Sequence, residues 1–208
     1  NQPALASEIR ETVNDKIAQV PKLTIAWTGV RILSPEEPAG EMLASILGDG
    51  RTCRLYKSLV LEKKLASGVN AANFPTRIAG IFLVDAVANA GHTNEELLPA
   101  VQAVLDDIKK NGVTEAELER AKRRMVAGRL REVERIGGIN GKADLLNAYE
   151  MFAGDPGFLP KDLARYRAVT TQQVKDFANK YLPDDHRLIL SIVPAAAGTA
   201  ERESPSAP

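Results

Sequence analysis

"GDGRTCRLYKSLVLEKKLASGV", Gly48 to Val69, is the stretch on which the fold turns. It holds two glycines, an Arg-rich turn, an apolar helical face through Leu55, Leu59 and Leu61, and a closing segment of strand character. Glycines before a helix with arginines close by is one way to hold a phosphate. A P-loop, however, needs G-x-x-x-x-G-K-[ST], and here Gly48 and Gly50 lie too close, with no Lys-Ser/Thr following. Turn chemistry explains each residue without a ligand. Gly48-Asp49-Gly50 ends one helix, with Gly48 or Gly50 at positive φ, and Thr52 caps the next. The stretch reads as the joint between two scaffold elements.

Upstream, "EIRETVND" and "KLTIAWTGVR" read as strands, the second with β-branched residues and Trp27. "SPEEPAGEMLASILGDG" opens a helix after Pro35 or Pro38, with Met42, Leu43, Ile46 and Leu47 on one side. Downstream, "ASGVNAANF" and "AGIFLVDAVAN" are strands separated by a turn at Pro75. Two capping boxes then announce two helices, Thr93 with Glu96 and Thr114 with Glu117; Gly112 ends the first and Gly137-Gly138 the second. "KADLLNAYEMFAG", "LPKDLARYRAV" and "TQQVKDFANKYL" are three further helices, and "HRLILSIVP" is a last strand. This order predicts an α+β fold of two layers, a largely antiparallel sheet covered by helices. Residues 8–194 are expected to form a single domain, with 1–7 a linker and 195–208 a low-complexity linker or tail.

The 208 residues carry 27 Lys plus Arg against 27 Asp plus Glu, so no net field favours nucleic acid or an anionic surface. No apolar run reaches the length that spans a bilayer. "NQPALASEIR" has neither an initiator Met nor the regions of a signal peptide, and it reads as the inside of a longer chain. A catalytic zinc needs about three protein ligands. The two histidines, His92 and His186, are far apart, and neither is read as having a second ligand at i+3 or i+4 on a helix. The one cysteine, Cys53, excludes an internal disulfide; Arg51 and Arg54 would favour its thiolate, but no histidine is near in sequence, and a packed thiol is expected. The serines lack a G-x-S-x-G elbow, and the "KRR" run, Lys122 to Arg124, reads as a solvated helix face.

With its leading Leu47, the opening stretch resembles the second-domain segment of pitrilysin/insulinase-type zinc peptidases, the inverzincins. That family writes it L-G-x-G-x-x-S-R-L-Y-x-x-L-(R)-E, followed by an A-Y-S-V-like strand. The likeness continues through "TEAELERAKRRM", the run from Gly137 to Thr170 and the closing "LILSIVP", so it spans nearly all of Ile9 to Pro194.

The resemblance implies a metallopeptidase or processing-peptidase fold. In the family, zinc sits on H-x-x-E-H with a distal Glu in the first domain, and none of those residues occurs here. An Arg and a Tyr spaced R-x6-Y act from the opposite half; Val60 and Ser67 hold those positions here, so neither role carries over. The chain is therefore expected to be inactive alone and to lack a cofactor of its own. Its parent is expected to be a zinc metalloendopeptidase with the zinc in the preceding domain. In that protein it would wall the peptide-enclosing chamber and support the zinc domain. The implied partners are sister domains or a homologous subunit, and peptide in the full assembly. A bacterial periplasmic or cell-envelope setting is favoured, with the cytoplasm left open. The alternative is a catalytically dead paralogue serving as a scaffold or peptide-binding module. H-x-x-E-H about 150 residues upstream would favour the peptidase half. An isolated ligand-binding domain ranks last, because the sequence shows no convergent polar cluster.

Overall fold

A computed structural model describes residues 5–138 and 141–195. Along the chain come β1 (Ile9–Asp15), β2 (Lys22–Gly29), α1 (Glu37–Gly48), a π-helix (Tyr56–Glu62), β3 (Ala66–Pro75) and β4 (Gly80–Ala88). Five helices follow, α2 (Asn94–Asn111), α3 (Glu115–Glu134), α4 (Lys142–Ala153), α5 (Leu159–Arg167) and α6 (Thr171–Tyr181), then β5 (Leu188–Pro194). The expected leading linker and tail fall mostly outside the described residues.

The strands form one sheet in the order β1-β5-β2-β4-β3. All pairings are antiparallel except β1 with β5. Strand alternation divides the sheet into two faces. One face, with Leu23, Ile25, Trp27, Phe82, Val84, Ala86 and Ile189, is buried under the helices. Trp27 donates to the Pro183 carbonyl at 2.8 Å and meets Phe82 edge-on. The pairing registers align Ile9, Leu188, Ala26, Leu83 and Ala72 in a row across the other face, with none of them buried. Beside this row Phe74 is 54% and Ile81 50% exposed.

Both capping boxes form as expected, and a third, Thr170 with Gln173, opens α6. Helix α1 packs close because two glycines permit it. A Cβ on Gly48 would stand 2.0 Å from the Ala71 amide nitrogen, and one on Gly40 would stand 2.7 Å from the Phe177 ring. These contacts set α1 against β3 and α6 and leave α3 beside the sheet edge.

Candidate functional site

The opening stretch is a joint, and other elements satisfy its polar groups. Gly50 has φ +76°, the left-handed conformation expected at this turn. Arg124 of α3 closes the turn, donating to the Asp49 carbonyl and pairing with its carboxylate, each at 2.9 Å. Arg54 grips Glu117 through two bonds of 2.8 Å and also reaches Asp107 at 2.7 Å and the Gly112 carbonyl at 3.1 Å. This fork ties the joint to the α2–α3 connection. Bonding to Arg54 holds the Glu117 carboxyl down at about 2. The arginine is thus spent on glutamate rather than on Cys53, whose buried thiol is pushed up by desolvation. Thr52 does not form the expected cap; the Cys53 carbonyl accepts the Lys57 N–H instead.

The segment after the joint winds as a π-helix rather than the expected α-helix, closed by a five-residue bond from Lys63 N–H to the Ser58 carbonyl. Val60 lies half-buried on it against the core. Ser67 is the exposed extra residue where the β3–β4 register shifts, and its hydroxyl meets the Val87 and Ala88 carbonyls at 3.3 Å. His92 does have a neighbour four positions on, because Glu96 reaches its ring at 3.2 Å, correcting the reading of that histidine. Glu96 also accepts the Thr93 N–H in the capping box. His186 pairs with Asp185 at 2.7 Å. Among the described residues no three His, Cys, Asp or Glu come together in a group that could hold a metal.

β3 is an outer strand of the sheet. Past its end, Ile32 N–H bonds to the Thr76 carbonyl at 2.9 Å and caps the edge there, while farther along the strand Gly48 of α1 lies against Ala71. A groove of about 470 Å³ runs there between β3, α1 and α3. Its polar lining includes Glu41, Asn73, Arg129 and Glu132. Asn73 is only 7% exposed, and among the described residues neither polar atom of its amide has a partner in full hydrogen-bonding geometry, although Glu41 is close by. Arg129 donates to Glu132 at 3.0 Å, while its buried Nε has no partner in full hydrogen-bonding geometry among the described residues, with Tyr166 close by. Burial pushes the Glu41 carboxyl up to about 7 despite the nearby Arg129. This is a convergent polar cluster of the kind the sequence did not disclose. Its one trace there is that Glu41 is the only charge between Pro38 and Gly48.

A larger groove, about 740 Å³, lies between α1, α5 and α6 with Phe158, Phe177 and Tyr181 among its walls. Of its charged lining, Lys180 pairs with Glu36, Arg165 with Glu37 and Asp162, and Asp176 accepts from the Gln172 amide at 2.7 Å. The β3 groove is the stronger candidate because its buried polar groups still lack partners.

A family model described as the peptidase M16 inactive domain matches residues 2–125. Zinc protease PqqE of Helicobacter pylori is 30% identical over 115 residues, 55% of this chain and 22% of that protein. The uncharacterized zinc protease YmxG of Bacillus subtilis is 24% identical over 149 residues, 72% of this chain and 36% of that protein. The chain therefore spans well under half the length of these curated relatives. Among solved structures, a peptidase M16 inactive domain from Pseudomonas fluorescens is similar at TM-score 0.74 and 27% identity, over 95% of this chain and 46% of that one. A protease from Helicobacter pylori shares the fold at TM-score 0.80 and 21% identity, over 92% and 45%.

Proposed function

This chain belongs to the peptidase M16 inactive-domain family, and on that premise we propose that it is the non-catalytic domain of a zinc metalloendopeptidase, walling the chamber that encloses peptide and bracing a zinc domain that precedes it. The observation that carries this reading is the one-sided sheet. Its helix-free face presents an apolar row across all five strands, which an isolated soluble fold has no reason to keep. A sister domain or homologous subunit packed there would remove Phe74, Ile81 and Leu83 from water. The free edge of β3 at Asn70 to Asn73 offers a second surface, where an extended peptide can add a strand through main-chain hydrogen bonds. Residues 8–194 would act as one unit in this role. The zinc would be held outside the chain, since H-x-x-E-H is absent from the sequence.

On this reading Val60 and Ser67 stand outside the chemistry: a valine cannot donate to a developing oxyanion, and the Ser67 hydroxyl is turned to the β4 carbonyls. The test is steady-state peptide cleavage by the parent chain. Val60→Ala and Ser67→Ala should change kcat/KM by no more than about twofold once stability is matched. Removing the Arg or Tyr of the pair in the other half should cost on the order of 10²-fold, as loss of an oxyanion donor does. A large loss from Ser67→Ala at unchanged stability would overturn the assignment.

A further inference from the structure

The groove beside β3 contains five charged side chains, and two ion pairs account for four of them. Arg124 holds Asp49 at 2.9 Å, and Arg129 holds Glu132 at 3.0 Å. Glu41 is left with no ion-pair partner among the described residues. Its carboxylate shares the groove with Asn73, whose buried amide lies near enough to favour the carboxylate but has no partner in full hydrogen-bonding geometry among the described residues. Around them the lining is small or apolar: Ala44, Ala71, Ala72, Met125 and Gly128. Buried polar groups are paired in nearly all folded proteins, so a cluster left open at the end of a groove marks a missing partner.

The character of that partner follows from the charges. An anion would meet a carboxylate offset only by Arg129, and both arginines are already paired with other carboxylates. A neutral amide would satisfy Asn73 and leave Glu41 as it is. A cation answers both, because a guanidinium or ammonium can donate to the Glu41 carboxylate and to the Asn73 amide oxygen together. The small-residue walls suit a straight uncharged stem. A main-chain carbonyl carried in with it can accept from Arg129 Nε.

We propose that this groove is a binding site for a basic side chain, arginine or lysine, presented on an extended segment lying along the free edge of β3. The proposal deepens the reading of that edge as a peptide-accepting surface. The carboxyl that receives the cation faces Glu37 and Asp162, which oppose its ionisation, Arg129, which favours it, and the Tyr166 ring and Asn73 amide close by. Burial keeps it partly protonated near neutral pH, so capture of a cation should strengthen as pH rises.

The experiment is calorimetric titration of the 208-residue chain with a capped Ala-Arg-Ala-Ala peptide and with the same peptide carrying citrulline, the neutral isostere, at pH 5 and 8. The arginine peptide is expected to bind at least about tenfold more tightly at pH 8, the worth of one charge-assisted contact. That preference should shrink at pH 5 and vanish in Glu41→Gln, whose melting point checks that it is folded. Equal affinity for the two peptides, or a preference that survives Glu41→Gln, overturns the cation site while leaving strand addition at β3 intact. Binding of neither peptide overturns both. Repeating the titration on the parent chain separates the two sources of the cation. If the parent still takes the peptide, the basic group belongs to substrate. If only the 208-residue chain takes it, a neighbouring domain of the parent supplies the group itself.

Discussion

Glu117, in the first turn of α3, accepts two bonds from Arg54 and one from the Thr114 N–H, whereas Glu41, midway along α1, sits beside an amide that does not reach it in full bonding geometry. Both are half-buried glutamates on helices, and the fold drives their carboxyls in opposite directions, Glu117 to about 2 and Glu41 to about 7. Desolvation raises both; only for Glu117 does a bound guanidinium outweigh it. Burial alone therefore does not fix a carboxylate's state. What decides it is whether the chain itself supplies the counter-charge. Glu117 fastens two parts of the molecule together. Glu41 is left for something else to complete.

The largest expected effect breaks the fastened side. Arg54→Ala removes the donor to Glu117, Asp107 and the Gly112 carbonyl at once and leaves a part-buried carboxylate with only its Thr114 donors. Urea unfolding at pH 7 should show a loss of about 3 kcal/mol; a loss below about 1 kcal/mol would mean that the fork adds little. Next comes acid. Unfolded Glu117 takes up its proton near 4.5 and the folded residue near 2, so in that window the unfolded chain binds more protons and stability falls as pH falls. About 2 kcal/mol should be lost between pH 5 and pH 2, and Glu117→Gln should show a correspondingly flatter profile. The smallest effect has the opposite sign. Folded Glu41 holds its proton up to about 7 while the unfolded residue releases it near 4.5, so its contribution is present below 4.5 and is lost as pH rises through 7. Glu41→Gln should match the parent sequence at pH 4 and exceed it by about 1–2 kcal/mol at pH 8 in the same assay. A variant less stable at pH 8 would place Glu41 with the fasteners after all.

The same pair shows how far the sequence could be read. Glu117 was legible as half of a capping box, because Thr114 and Glu117 find each other within one turn. Its grip on Arg54, 63 positions away, was not. Strand and helix order was legible for the same local reasons: period-two apolar runs, caps, and the Gly50 turn. The helix after Cys53 was placed correctly, yet its π winding was not foreseen, because Leu55 and Leu59 fit either pitch and the five-residue bond at Ser58 leaves no mark in the spacing. The groove was the least legible part, since Glu41, Asn73 and Arg129 come from a helix, an edge strand and another helix. The sequence carried only an isolated charge in "PAGEMLASILG". Its tertiary setting turned that charge into a half-buried group with no ion-pair partner among the described residues.

The pairing of β1 with β5 has a mechanical side. Ile9 N–H bonds to the Arg187 carbonyl at one end of this parallel ladder, and Ala195 N–H bonds to the Asp15 carbonyl at the other. The chain thus enters the ladder at one end and leaves it at the opposite end. Tension passed through the flanking segments pulls the two strands lengthwise past each other, loading all seven residue pairs at once instead of peeling them one by one. A load applied at the two ends of the strand pair is therefore carried by this ladder in shear, its strongest geometry.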